Sequence, residues 1–157
     1  MRIEIDQSGR IEYTSKPTVL AFSNSRNGLI IILAREKKLV QKYFRQIGKP
    51  RLFAYMTFAA AIFLLTKNIV RNRDQLIIDR EYPGYEKFIG RKVKECILSQ
   101  TKIRDIGIST TQIGKKSKAH DLAWHEYTKQ KRDGKIKKIS ARELIRIIKR
   151  NLKSGSV

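Results

Sequence analysis

With 157 residues, 41% of them hydrophobic, the chain is long enough for one domain with a real core and too apolar for a disordered basic tail. Its 35 Lys+Arg against 14 Asp+Glu give a formal net charge of +21, which favours a polyanionic partner: nucleic acid first, an anionic membrane surface second. Cys96 is the single cysteine, which excludes a disulfide framework and a thiolate metal cluster. The first residues are charged and strand-like rather than a secretory signal, so an intracellular, cytoplasmic location is expected.

Arg2-Ile3-Glu4-Ile5-Asp6 alternates polar and apolar residues, which predicts a strand over 2–6 that ends at Asp6, before a Ser8-Gly9 turn. An extended segment is expected to resume over 10–14. Segments 18–23 and 29–33 are β-branched and apolar, and Asn27-Gly28 lies between them as a hairpin signal, so the chain opens as an antiparallel meander. The spacing of Leu39, Val40, Phe44 and Ile47 predicts a helix over 35–47, stopped by Gly48 with Pro50 beyond. Residues 52–66 (LFAYMTFAAAIFLLT) carry no charge. A membrane-spanning helix needs roughly 20 apolar residues. The run is shorter than that, so it reads as a helix over 51–68, buried on most of its surface, with no membrane partner.

Gln75-Leu-Ile-Ile-Asp79 is a short apolar strand expected at the centre of a sheet. After the Tyr82-Pro83-Gly84 turn, Phe88, Ile89, Val93 and Ile97 predict a helix over 85–98, on which Cys96 sits at core spacing and reads as packing. A last strand is expected over 106–113 and a helix over 118–129, capped by Ser117. Beyond Asp133-Gly134 the composition shifts. Ser140-Ala-Arg-Glu143 is a capping box, and Leu144, Ile147, Ile148 and Leu152 line one face of a final helix. Residues 129–153 hold eleven Lys/Arg and two acids, a basic face for solvent or for phosphates. The fold class is α/β: a mixed sheet flanked by helices in one domain over 1–130, then a basic extension over 131–157 whose helix packs on that domain.

Three carboxylates come from distant segments of this very basic chain: Asp6 and Asp79, each ending an apolar strand, and Asp121 at the start of a helix. Metal-assisted phosphodiester cleavage needs oxygen ligands that hold two Mg²⁺ or Mn²⁺ ions roughly 4 Å apart, and carboxylates converging at one sheet edge supply them. Glu81 adds a fourth candidate, because alternate residues of an extended strand share a face with Asp79. His120 is a further catalytic candidate beside Asp121. Lys115, Lys116 and Lys118 flank this site, and Lys131, Arg132, Lys135, Lys137 and Lys138 extend the basic surface for nucleic-acid binding. No Gly-rich phosphate loop and no serine-nucleophile motif is present.

These positions and this element order resemble the ribonuclease H-like superfamily over residues 1–130. The likeness rests on Asp6-Gln-Ser-Gly9, on Leu76-Ile-Ile-Asp79 and on His120-Asp121-Leu-Ala123. It implies a five-stranded mixed sheet: three antiparallel strands, a helix, a central strand, a helix, a last strand and a helix. It also implies that Asp6, Asp79 and Asp121 ligate the metal ions, with His120 or Glu81 completing the set. The chain offers Glu36 at the edge of its first helix and no acid between Arg51 and Val70, where ribonucleases H proper carry a helical glutamate, so it leans to the resolvase-like branch. The implied activity is a two-metal endonuclease acting on structured nucleic acid, DNA, RNA or their hybrid, and junction cutting would require a homodimer. The alternative is a non-catalytic basic DNA- or RNA-binding protein on the same fold.

Each residue also has a purely structural use. Asp6 suits a turn with Ser8 or Gly9, Asp79 a strand end, and Asp121 the positive end of a helix dipole. His120 and His125 suit a helix face, while Trp124 and Tyr127 suit core or edge packing rather than base stacking.

Overall fold

The computed structural model describes residues 1–129, 134 and 136–154. Six strands form one mixed sheet in the order β5-β4-β1-β2-β3-β6. They are β1 (Arg2–Ser8), β2 (Thr18–Ser23), β3 (Asn27–Ile32), β4 (Asp74–Asp79), β5 (Ile106–Thr111) and β6 (Lys137–Lys138). The helices are α1 (Ala34–Gln46), α2 (Phe53–Thr66), α3 (Glu86–Gln100), α4 (Lys118–Thr128) and α5 (Ala141–Ser154).

Strands β1, β2 and β3 run as the expected antiparallel meander, and β4 and β5 add in parallel on the far side of β1. The sheet has six strands rather than five. Two residues of β6 pair in parallel with Ile30 and Ile31 of β3, and Ile139 N–H donates to the Ile31 carbonyl at 2.9 Å. A strand this short leaves almost no periodic signal in the sequence.

Alternation divides the side chains between two faces. Ile3, Ile5, Leu20, Phe22, Leu76 and Ile78 enter the larger core with α1, α2, α3 and α5. Val19, Ala21 and Ile31 face α4 through Ala123. The charge-free run forms α2, which is buried from Met56 to Thr66 because α1, α3, α5 and the sheet surround it. Among the described residues no helix is long and apolar enough to cross a membrane. In α5, Leu144, Ile147 and Ile148 are buried in the same core, and Ala141 N–H donates to Glu36 Oε1 at 2.9 Å. Glu36 therefore caps the last helix, and segment 136–154 completes the sheet and the core.

The stretch over 10–14 is not extended. It turns, with Tyr13 N–H donating to the Arg10 carbonyl at 3.1 Å. The cause lies in α1. Lys37 is fully buried and its Nζ donates to the carbonyls of Arg10 (3.1 Å) and Tyr13 (2.7 Å) and to Thr18 Oγ1 (3.0 Å). Three acceptors match the three protons of an ammonium group. Lys37→Met strips all three of their donor, and each buried unpaired group costs about 1–3 kcal/mol. The variant is expected to lose about 2–4 kcal/mol in urea denaturation, with Lys37→Arg partly restoring it.

Candidate metal centre

Strand β1 runs through Asp6 to Ser8, so Asp6 lies inside the strand rather than at its end. The parallel register sets Ile5 opposite Ile78, and one further step brings Asp6 beside Asp79. Glu81 follows two residues later on the same side of the chain. Oxygen atoms of Asp6, Asp79 and Glu81 all lie within 4.8 Å of one another, with Asp6 buried and the other two half-buried. Spacing of two along the chain as it leaves β4, and the register between β1 and β4, produce the cluster.

Hydrogen bonds aim these carboxylates. Asp6 Oδ1 accepts from Gln7 N–H at 2.8 Å, and Asp6 Oδ2 is 2.8 Å from His120 Nδ1. A carboxylate accepts, so this contact puts the ring proton on Nδ1. Asp79 Oδ1 accepts from Ile113 N–H at 2.6 Å, just past the end of β5. Helix α4 reaches β1 at a second point, where Ser117 Oγ donates to Glu4 Oε1 at 3.2 Å. Ser117 and His120 lie about one helical turn apart, and Glu4 and Asp6 share a strand face, so the two contacts fix the helix rotation. Glu4 was not among the sequence candidates, although its alternation with Asp6 was visible.

That rotation corrects one expectation. Asp121 is exposed in the first turn of α4 and is not part of the acidic trio. Adjacent helical residues point about 100° apart, so His120 and Asp121 cannot both face Asp6. Histidine takes the inward place.

The electrostatics follow from burial and crowding. Burial, and then the charge of Asp79, push the Asp6 carboxyl above its ordinary value, while His120 pulls it back in part. Glu81 rises further, to about 9, through burial first and then its hydrogen bonds with Asp79 and Asp6. At neutral pH Glu81 therefore holds a proton shared with its neighbours. Three carboxylates at this spacing carry more negative charge than the pocket tolerates, and a proton or a cation must offset it. A set of oxygen donors suits hard divalent cations. The trio could hold a metal ion.

The trio's face of the sheet is only partly covered. Helix α4 covers β1 and β2, whereas Ser109 and Thr111 of β5 are exposed. Lys115, Lys116 and Lys118 are exposed at the start of α4, and Lys116 and Lys118 border a cleft with Arg2, Glu4 and Asn24. Lys137 and Lys138 are exposed on β6, three strand spacings from β1, or roughly 14 Å. Lys131, Arg132 and Lys135 lie outside the described residues. Trp124, expected as packing, is 55% exposed on α4, whereas Tyr127 packs against the smaller core cluster. Comparison with family models, with curated proteins and with solved structures gave no match.

Proposed function

We propose that this protein is a metal-dependent endonuclease of ribonuclease H-like type that hydrolyses phosphodiesters in structured nucleic acid. The observation that carries this reading is the convergence of Asp6, Asp79 and Glu81 in a chain of net charge +21. A trio of acids in so basic a protein suits a cation placed against a polyanion. An antiparallel meander followed by two parallel strands also fits the ribonuclease H-like resemblance.

Asp6, Asp79 and Glu81 would hold Mg²⁺ or Mn²⁺, the resemblance implying two ions. Bound divalent cations supply Lewis-acid polarisation of the phosphodiester and lower the pKa of water. His120 orients Asp6 through Nδ1 and is a positioning residue. The Ile113 amide does the same for Asp79. Lys115, Lys116 and Lys118 would meet backbone phosphates, which fixes the strand without reading its bases.

A panel of labelled substrates (branched DNA, hybrid duplex, single strands) incubated with Mg²⁺ or Mn²⁺ tests the reading. Metal-dependent cleavage leaving 3′-hydroxyl and 5′-phosphate ends is expected. Affinity should fall steeply with salt, at least about tenfold between 50 and 200 mM, because several phosphate contacts release counterions. Tight, salt-sensitive binding without cleavage in either metal would leave a binding protein in place of an enzyme.

A further inference from the structure

Against α1 and α2, on the face of the sheet opposite α4, lies an open cleft of about 350 Å³ that the chemistry above does not use. Tyr55, Tyr82, Tyr85, Arg10, Glu12 and Arg51 line much of it. Gln7 follows Asp6 and Tyr82 follows Glu81, so alternation puts the cleft and the trio on opposite faces at the same end of β1 and β4. Gln7 Nε2 donates to the Tyr82 hydroxyl at 3.2 Å, and that hydroxyl donates to Glu12 Oε1 at 3.2 Å.

Inside the cleft the aromatic rings are already ordered. Tyr55 and Tyr85 stack with centroids 3.8 Å apart and planes 14° off parallel. Tyr82 and Phe88 meet Tyr55 edge-on at 5.6 and 6.5 Å and anchor that end of the stack. Tyr85 closes the other end and is 43% exposed. The Arg10 guanidinium lies 4.9 Å from the centre of the Tyr82 ring, and its Nε pairs with Glu12 at 3.0 Å. Arg51 is exposed at the rim and pairs with no acid among the described residues.

We infer that this cleft seats an unpaired base of a nucleic-acid strand bound by this basic protein. The base continues the Tyr55–Tyr85 stack, and its phosphate is met by Arg51. A ring stacked on one side only is a platform for any base, and a nearby free cation supplies the backbone contact. A base inside an intact duplex has both faces covered and cannot join the stack. The site therefore selects strands carrying a single-stranded or displaced nucleotide. This inference rests on the nucleic-acid part of the reading above, and the binding step needs no metal.

Binding is measured in EDTA by anisotropy, with a single-stranded oligonucleotide carrying 2-aminopurine, a base whose fluorescence falls on stacking. Wild type is expected to quench the probe. Tyr85→Ala should abolish the quenching and weaken single-strand binding about tenfold, while fully paired duplex binding stays unchanged. Tyr85→Phe should behave as wild type, and Arg51→Ala should weaken the single strand without removing the quenching. A mononucleotide should not compete at the oligonucleotide's concentration. Three results would overturn the inference: wild-type behaviour of Tyr85→Ala, equal weakening of strand and duplex, or equal competition by the mononucleotide. Cleavage is absent in EDTA, so a failure of the nuclease reading is seen separately, in the metal assays.

Discussion

Asp6→Asn is expected to lower metal-dependent cleavage at least about a thousandfold while nucleic-acid binding stays intact or tightens. Asp6 is the most buried member of the trio and contacts both Gln7 and His120. An asparagine oxygen can keep the Gln7 contact, and the His120 ring can switch tautomer to accept from the new amide, so the fold should survive. The negative charge that draws the cation is lost, and with it the repulsion of phosphate. Asp121→Asn provides the contrast. Its carboxylate lies outside the trio, so cleavage should be unchanged. His120→Ala should fall between, with metal affinity reduced about 10–100-fold, the usual effect of removing a group that orients a ligand. Parallel gel assays of the three variants, with binding followed in EDTA, check the order. A wild-type rate for Asp6→Asn would remove the trio from the chemistry.

The second large effect is pH dependence. The Glu81 carboxyl sits at about 9 in the fold against an ordinary 4.5. Between those values the folded protein keeps a proton that the unfolded chain has released. Stability from this group is fully present below 4.5 and is lost as pH rises through 9. The metal-free protein should thus become easier to denature from pH 5 towards 9, and Glu81→Gln should flatten that slope. Lys37 adds an opposing trend, because burial pulls its ammonium down from 10.5 to about 8 and relief of that cost begins there. The difference between wild type and Glu81→Gln cancels the Lys37 trend and leaves that of the carboxylate cluster. A cation must displace the proton, so apparent Mn²⁺ affinity should rise by up to about tenfold per pH unit below that value. Calorimetry at several pH values reads both the affinity and the proton released. A pH-independent affinity would place the proton elsewhere.

The helices and five of the six strands were legible because apolar spacing of two or of three and four survives any tertiary arrangement. Asp79 and Glu81 belonged to that legible part: residues two apart in an extended segment share a face wherever the strand is placed. The buried Lys37 was not legible. Within α1 it reads as one more solvated cation, and only the chain folding back over 10–18 brings it three acceptors. The two-residue β6 was equally hidden, since its pairing depends on β3 and on α5 capped by Glu36.

Length, charge and periodicity by themselves determined an α/β chain with a basic surface, a buried uncharged helix and carboxylates at the ends of apolar strands. They did not determine which residues meet. Register between β1 and β4 put Asp6 beside Asp79, and the rotation of α4, set by Ser117 on Glu4 and His120 on Asp6, turned the histidine inward and Asp121 out. The choice between neighbours on one helix turn is a matter of about 100° of rotation, and only packing against the sheet supplies that angle.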